Sequence, residues 1–228
     1  MIRLFLAVLL GTPLLAQAMT LRGDAGTTDE GRVSICYNYG CKQQEAVSYP
    51  ASTLARLGRR LAAARSAGEE RELIAEAVGR LYRVAATQTP VGADRSGNFL
   101  DAGADGRMDC IDHSTSTTRL LQLLEARGGL RFHRVVEPAR RTSVIFQHFS
   151  AVVEEMSLAE RLERLPPGEA LAGCNCTEDG LVIEGPDGAE PARPGERYAV
   201  DSWFVDNGEP AVVLPLAEWL NGGGPNVQ

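Results

Sequence analysis

The chain has 228 residues, with 23 Lys and Arg against 30 Asp and Glu, a formal net charge of -7 and 44% hydrophobic residues. An acidic chain without a Lys/Arg cluster does not hold nucleic acid through its bulk field, and Lys42 is the only lysine. After the first 18 residues no apolar run is long enough to span a bilayer. About 210 residues then suffice for one domain, or one domain with an appended helical segment.

Residues 1–18 read as a cleavable secretory signal peptide. Arg3 supplies the charged start, Leu4 to Leu15 the apolar stretch and Ala16-Gln17-Ala18 the small-x-small cleavage pattern. Residue 19 is Met, so the usual lipoprotein attachment through Cys is not expected. The mature protein is therefore expected in the periplasm or secreted.

Residues 19–50 form a leader segment carrying Cys36 and Cys41, polar and Gly/Thr/Asp-rich up to residue 33 and read there as extended or disordered. A helical segment follows over 51–92. Ser52 is expected to cap a helix through Leu54, Leu57 and Leu61, and the stretch 66–68 to break it. A second helix, from about Glu69 to Ala86, buries Leu73, Ile74, Val78, Leu81 and Tyr82. Residues 92–106 form a Gly/Asp/Asn loop, and a Leu-rich helix from about Cys110 or Asp112 to Glu125 ends at Gly128-Gly129.

The period then shortens. Stretches 131–137, 144–155, 180–184 and 197–205 read as strands, and 214–220 as a short closing helix. Helices first and strands afterwards give an α+β fold with an antiparallel sheet.

Five cysteines in an exported chain leave one over when the others pair. Cys36, Cys41, Cys174 and Cys176 are the disulfide candidates, with all three connectivities open. A bridge between Cys174 and Cys176 closes a very small ring, so cross-links between the two pairs compete with bridges within them. Cys110 is the odd cysteine.

Cys110, His148 and Asp201 carry the candidate chemistry. A thiol needs ionisation to attack, and the start of a helix favours the thiolate. An imidazole takes the proton and later protonates the leaving group, and a carboxylate orients the imidazole. His113, three residues past Cys110, is the second candidate base, with its ring expected along the helix surface; His133 is the third. The plain alternative is that Cys110 is a small packed residue.

The acidic loop offers a different reading. Asp101, Asp105, Asp109 and Asp112 fall at positions one, five, nine and twelve of a calcium-loop spacing, with Gly106 at six. Position three is Gly103, and position twelve is shorter than the usual Glu. The alternative there is an acidic loop whose Asp109 caps the helix. No other metal site and no cofactor is expected.

The string Asp109-Cys110-Ile111-Asp112 opening a helix resembles the Asp-Cys-Glu-Asp signature of bacterial transglutaminase-like cysteine proteinases. The strands beginning at His148 and Val200 resemble that superfamily's His and Asp strands, in the same chain order. Met108 stands where the family has Gly, and Ile111 where it has Glu. The string from Met108 to Thr115 also resembles a group of uncharacterised exported proteobacterial proteins.

The resemblance covers roughly residues 99–220. It implies a papain-like core over 93–222, with the Cys helix packed on an antiparallel sheet and the helical segment before it. It also implies an exported thiol hydrolase or acyltransferase, a peptidase or amidase using Cys110, His148 and Asp201. The oxyanion would lie at the Cys110 N–H, with Asn98 as second donor. The substrate would be a peptide, a peptidoglycan stem amide or a protein; no nucleic acid and no membrane span are expected. The competing function is a non-catalytic, disulfide-braced envelope module binding a partner or calcium through the acidic loop.

Overall fold

A computed structural model describes residues 31–97, 101, 103–143, 146–164 and 192–225. The signal peptide, Asn98, Cys174, Cys176 and the strand expected over 180–184 lie outside the described residues. The elements run β1 (Arg32–Tyr37), β2 (Gln43–Ser48), α1 (Ala51–Ala62), α2 (Ala67–Ala85), a 3-10 turn (Pro90–Ala93), α3 (Cys110–Ala126), β3 (His133–Ser143), β4 (Phe146–Glu155), α4 (Leu158–Glu163), β5 (Arg197–Asp201), β6 (Val212–Pro215) and α5 (Leu216–Leu220). The chain is mixed α+β with antiparallel sheets. One is the β1–β2 hairpin, and the other has the order β3-β4-β5-β6.

α1, α2 and α3 form where apolar spacing predicts them, with the starts of α1 and α2 shifted, and α4 is a further short helix that the spacing does not announce. Pro50 occupies the N-cap of α1, its fixed φ suited to entry, so Ser52 lies inside the helix. The break between the helices comes earlier than 66–68, between Ala62 and Ser66; Ser66 caps α2 by accepting from the Glu69 N–H at 3.1 Å, and Ala67 and Gly68 lie inside the helix. In β3 the register shifts between Val136 and Ala139. Pro138 falls there, a residue without an N–H for the ladder and confined to such irregularities.

The β1–β2 hairpin lies within what the sequence presents as a leader. Its Val33, Ile35 and Val47 are buried in the same core as Leu54, Leu57 and Leu61 of α1, Ile74, Val78 and Leu81 of α2, and the leucines of α3. Cys36 and Cys41 are bonded to each other, with Cα atoms 4.7 Å apart. That removes the connectivities that cross between the two cysteine pairs. The 214–220 stretch divides: Pro215 closes strand β6, and the helix begins at Leu216. Among the described residues no helix is long and apolar enough to cross a membrane.

Gly106 sets the approach to α3. Its φ is +81°, and a Cβ there would sit 2.0 Å from the Pro90 carbonyl oxygen, so the backbone passes where only glycine fits.

Candidate active site

Cys110 is the first residue of α3. Asp109 caps the helix, accepting from the Ile111 N–H at 3.0 Å and the Asp112 N–H at 2.9 Å. Asp112 returns the bond by accepting from the Asp109 N–H at 3.1 Å, which completes a capping box around Cys110.

The cap is gripped from outside by the loop between β1 and β2. Asn38, Tyr39, Gly40 and Cys41 all take left-handed φ values, of 66°, 64°, 68° and 58°. For the three that are not glycine this costs on the order of 1 kcal/mol each. The run turns successive N–H groups the same way, a concavity that binds anions. Tyr39 N and Cys41 N donate to Asp112, at 2.8 and 2.5 Å, and Gly40 N donates to Asp109 at 2.9 Å.

The other two carboxylates of the acidic loop also have protein partners. Asp101 accepts from the Tyr39 hydroxyl and pairs with Arg107 at 2.8 Å; Asp105 accepts from the Asn38 amide at 3.1 Å. Among the described residues, Asp101, Asp105, Asp109 and Asp112 do not gather around one point.

His148 comes from β4 and Asp201 from the end of β5. The register pairs Ala151 with Val200. One step further sets Asp201 opposite Ser150, and His148 lies two residues along the same face of β4. Its Nε2 is 2.6 Å from the Asp201 Oδ2. Asp201 also accepts from the Trp219 indole at 2.8 Å and from the Trp203 N–H at 3.1 Å. The imidazole lies among Trp203, Phe204 and Trp219, with ring centroids 4.8, 5.4 and 5.5 Å away.

Cys110 packs against that aromatic cluster. Its thiol points to the Gln147 carbonyl at 3.8 Å, and the Phe149 N–H donates to the sulfur. The sulfur thus rests on the β4 backbone at both sides of His148, while the His148 ring itself meets Asp201.

Burial pushes the Cys110 thiol up to about 11; Asp109 and Asp201 add to the rise, and the Phe149 N–H opposes it. The helix start therefore does not deliver a thiolate by itself. The carboxylates that cap the helix put negative charge where its dipole is positive, and the aromatic side chains take part of the water away from the sulfur. Asp112 is likewise raised, to about 6, by burial and by the charge of Asp109, against the N–H groups of Asp109, Cys41 and Tyr39.

The other two histidines are occupied. The His113 ring is buried instead of lying along the helix surface. Its Nε2 is 2.9 Å from Asp94 and its Nδ1 2.8 Å from the Ser202 hydroxyl, which continues to Thr117 and Tyr82. Asp94 also accepts from the Met108 N–H at 2.8 Å. This chain ties the approach to Cys110 to the residue after Asp201. His113→Ala is expected to lower stability by about 2–4 kcal/mol, read by urea unfolding, because it strands buried polar partners. A loss under about 1 kcal/mol would show that the network contributes little. His133, fully buried, is 2.8 Å from Glu70 and 3.5 Å from Arg71.

Sequence reasoning missed the tryptophans and Arg141. Arg141, paired with His148 across β3 and β4, lies 4.7 Å over the Trp219 ring and donates to the carbonyls of Trp219 and Gly223. It pins α5 where the indole reaches Asp201. The neighbouring Trp203 was visible beside Asp201, but nothing local in 214–220 announces a contact with β5. A comparison with known protein families, curated proteins and solved structures finds no match for this chain.

Proposed function

We propose that this protein is a thiol-dependent acyltransferase or hydrolase with a transglutaminase-like core, acting on an amide or ester through an acyl-thioester at Cys110. One observation carries the reading. A thiol sits on the backbone flanking an imidazole whose Nε2 is held at 2.6 Å by a buried carboxylate.

Each residue has a defined task. The Asp201 carboxylate accepts from Nε2–H, which leaves Nδ1 of His148 as the basic nitrogen. As Sγ attacks the carbonyl carbon, the thiol proton passes to Nδ1. The tetrahedral oxyanion is met at the start of α3, where the Cys110 N–H lies; Asn98 is the candidate second donor. Collapse breaks the bond to the amine or alcohol, which leaves with the proton from His148. Water or a second nucleophile then gives its proton to His148, attacks the thioester and frees the sulfur. The Cys36–Cys41 bridge is compatible with work outside the cytoplasm, on a peptide, a peptidoglycan stem amide or a protein.

The direct test uses an activated ester. Incubation with p-nitrophenyl acetate, quenched in acid, is expected to place an acetyl group on the peptide containing Cys110, read by mass spectrometry. His148→Ala is expected to slow that acylation by roughly 100-fold or more, and Cys110→Ala to abolish it. Acetylation spread over other residues, or unaffected by His148→Ala, would contradict the assignment.

A further inference from the structure

We propose that Asp112 and the left-handed loop Asn38–Cys41, locked by the Cys36–Cys41 bridge, are positioning elements for the nucleophile. They fix where the first turn of α3 presents Cys110. This rests on the reading of Cys110 as the attacking residue.

The connection between β1 and β2 does not require the loop's shape. The last pair of the ladder is Tyr37 with Gln43, and a hairpin loop of this length is usually built around an ordinary type I turn. Four successive left-handed residues, three of them with side chains, persist only where the surroundings enforce them. Two constraints do so here. The bridge closes the loop at its ends, and the carboxylates of α3 fill the concavity that the loop's N–H groups create.

The grip falls on both sides of Cys110. Asp109 precedes it and is bound through Oδ2 to Gly40 and through Oδ1 to Ile111 and Asp112. Asp112 follows it by two residues and is bound through both oxygens, to Cys41 and to Tyr39. The loop also holds the approach to the helix, because Asn38 N donates to the Arg107 carbonyl at 2.7 Å and the Asn38 amide oxygen accepts from Gly106 N at 2.8 Å. Further along, Ser116 of α3 accepts from Cys36 N at 2.9 Å. A helix cap alone needs one acceptor. Here the cap uses two carboxylates, and one of them, Asp109, opposes the negative charge the sulfur must take, an electrostatic disadvantage that positional accuracy offsets. Small misplacements of a nucleophile cost large factors in rate.

The test reads Cys110 alkylation by iodoacetamide, quantified on its own peptide, in folded protein whose cooperative melting is recorded alongside. The quantity compared is the His148-dependent part of the rate, obtained by repeating each variant with His148→Ala. Cys36→Ala/Cys41→Ala and Asp112→Ala are each expected to lower that part by roughly tenfold or more. Asp112→Asn, which keeps one carbonyl acceptor for the loop, is expected to restore some of it. Asp109 and Asp201 act on the sulfur from α3's cap and β5, and His148 lies on β4 between the two residues whose backbone touches it, so the pH profile is recorded for every variant.

A wild-type His148-dependent rate in the folded bridge variant and in Asp112→Ala would overturn the proposal. If the bridge variant does not fold, the Asp112 variants decide on the same criterion. A wild-type protein with no His148 dependence removes the nucleophile reading and the positioning role together. A His148-dependent rate that the loop variants leave unchanged removes the positioning role alone.

Discussion

Replacing Glu70 by Ala is expected to cost the fold about 3–5 kcal/mol, the largest stability loss of any single substitution considered. Glu70 sits on α2, fully buried, where it does the work of a strand cap. Its oxygens accept from the backbone N–H groups of Arg131 at 2.6 Å, Phe132 at 3.0 Å and His133 at 2.9 Å, and from the His133 ring at 2.8 Å. Alanine leaves these buried donors facing a hole without the oxygens that satisfied them. For a domain of this size that corresponds to a melting temperature lower by about 10 °C. Glu70→Gln keeps one carbonyl oxygen and is expected to lose roughly half as much. A drop below about 1 kcal/mol in urea unfolding of Glu70→Ala would show that solvent reaches the start of β3.

Asp201→Ala is expected to slow acylation at Cys110 on the order of 10-fold, less than the roughly 100-fold lost with the imidazole itself. The carboxylate gathers three donors: the His148 ring, the Trp219 indole and the Trp203 N–H. Without it the imidazole can adopt either tautomer and turn within its aromatic surround, so Nδ1 is no longer held as the base. The same change removes Asp201's contribution to the raised Cys110 thiol. In the His148→Ala background, where the thiol ionises on its own, Asp201→Ala should therefore shift the alkylation inflection toward lower pH, even though it slows acylation when His148 is present. That opposite movement separates loss of orientation from loss of the thiol's reactivity. Equal falls in both reactions, with no shift, would mean that Asp201 only holds the fold together.

Much of this site was legible in the chain. The odd cysteine at the end of a Gly/Asp loop, with Leu120, Leu121, Leu123 and Leu124 behind it, locates a helix start. His148 and Asp201 stand out as polar groups within strand-like runs. Asp109 as a cap follows from its place before that helix, and the structure bears it out. What stayed hidden depends on contacts between distant residues. The β1–β2 hairpin is short, and β2 is exposed at five of its six positions, so it offers no apolar alternation. Its loop takes shape from carboxylates some 70 positions away, as in Tyr39 with Asp112. The raised thiol has the same origin. A helix start suggests an activated sulfur, and the tertiary fold adds aromatic walls and two nearby carboxylates that reverse the expectation. His113 looked like a surface base because helical spacing puts it near Cys110, yet Asp94 and Ser202 draw its ring inward.

The central claim is that His148 serves Cys110 as its base, and the pH dependence of Cys110 alkylation tests it most directly. A half-buried thiol raised to about 11 would be ionised to only roughly one part in ten thousand at pH 7. On its own it would react with iodoacetamide only in strongly alkaline solution. With His148 taking the proton, the wild-type rate at pH 7 is expected to exceed that of His148→Ala by roughly 100-fold, and the two profiles to converge as pH approaches 11. Superimposable profiles for wild type and His148→Ala, both rising only toward pH 11, would contradict the account and make Cys110 a packing residue.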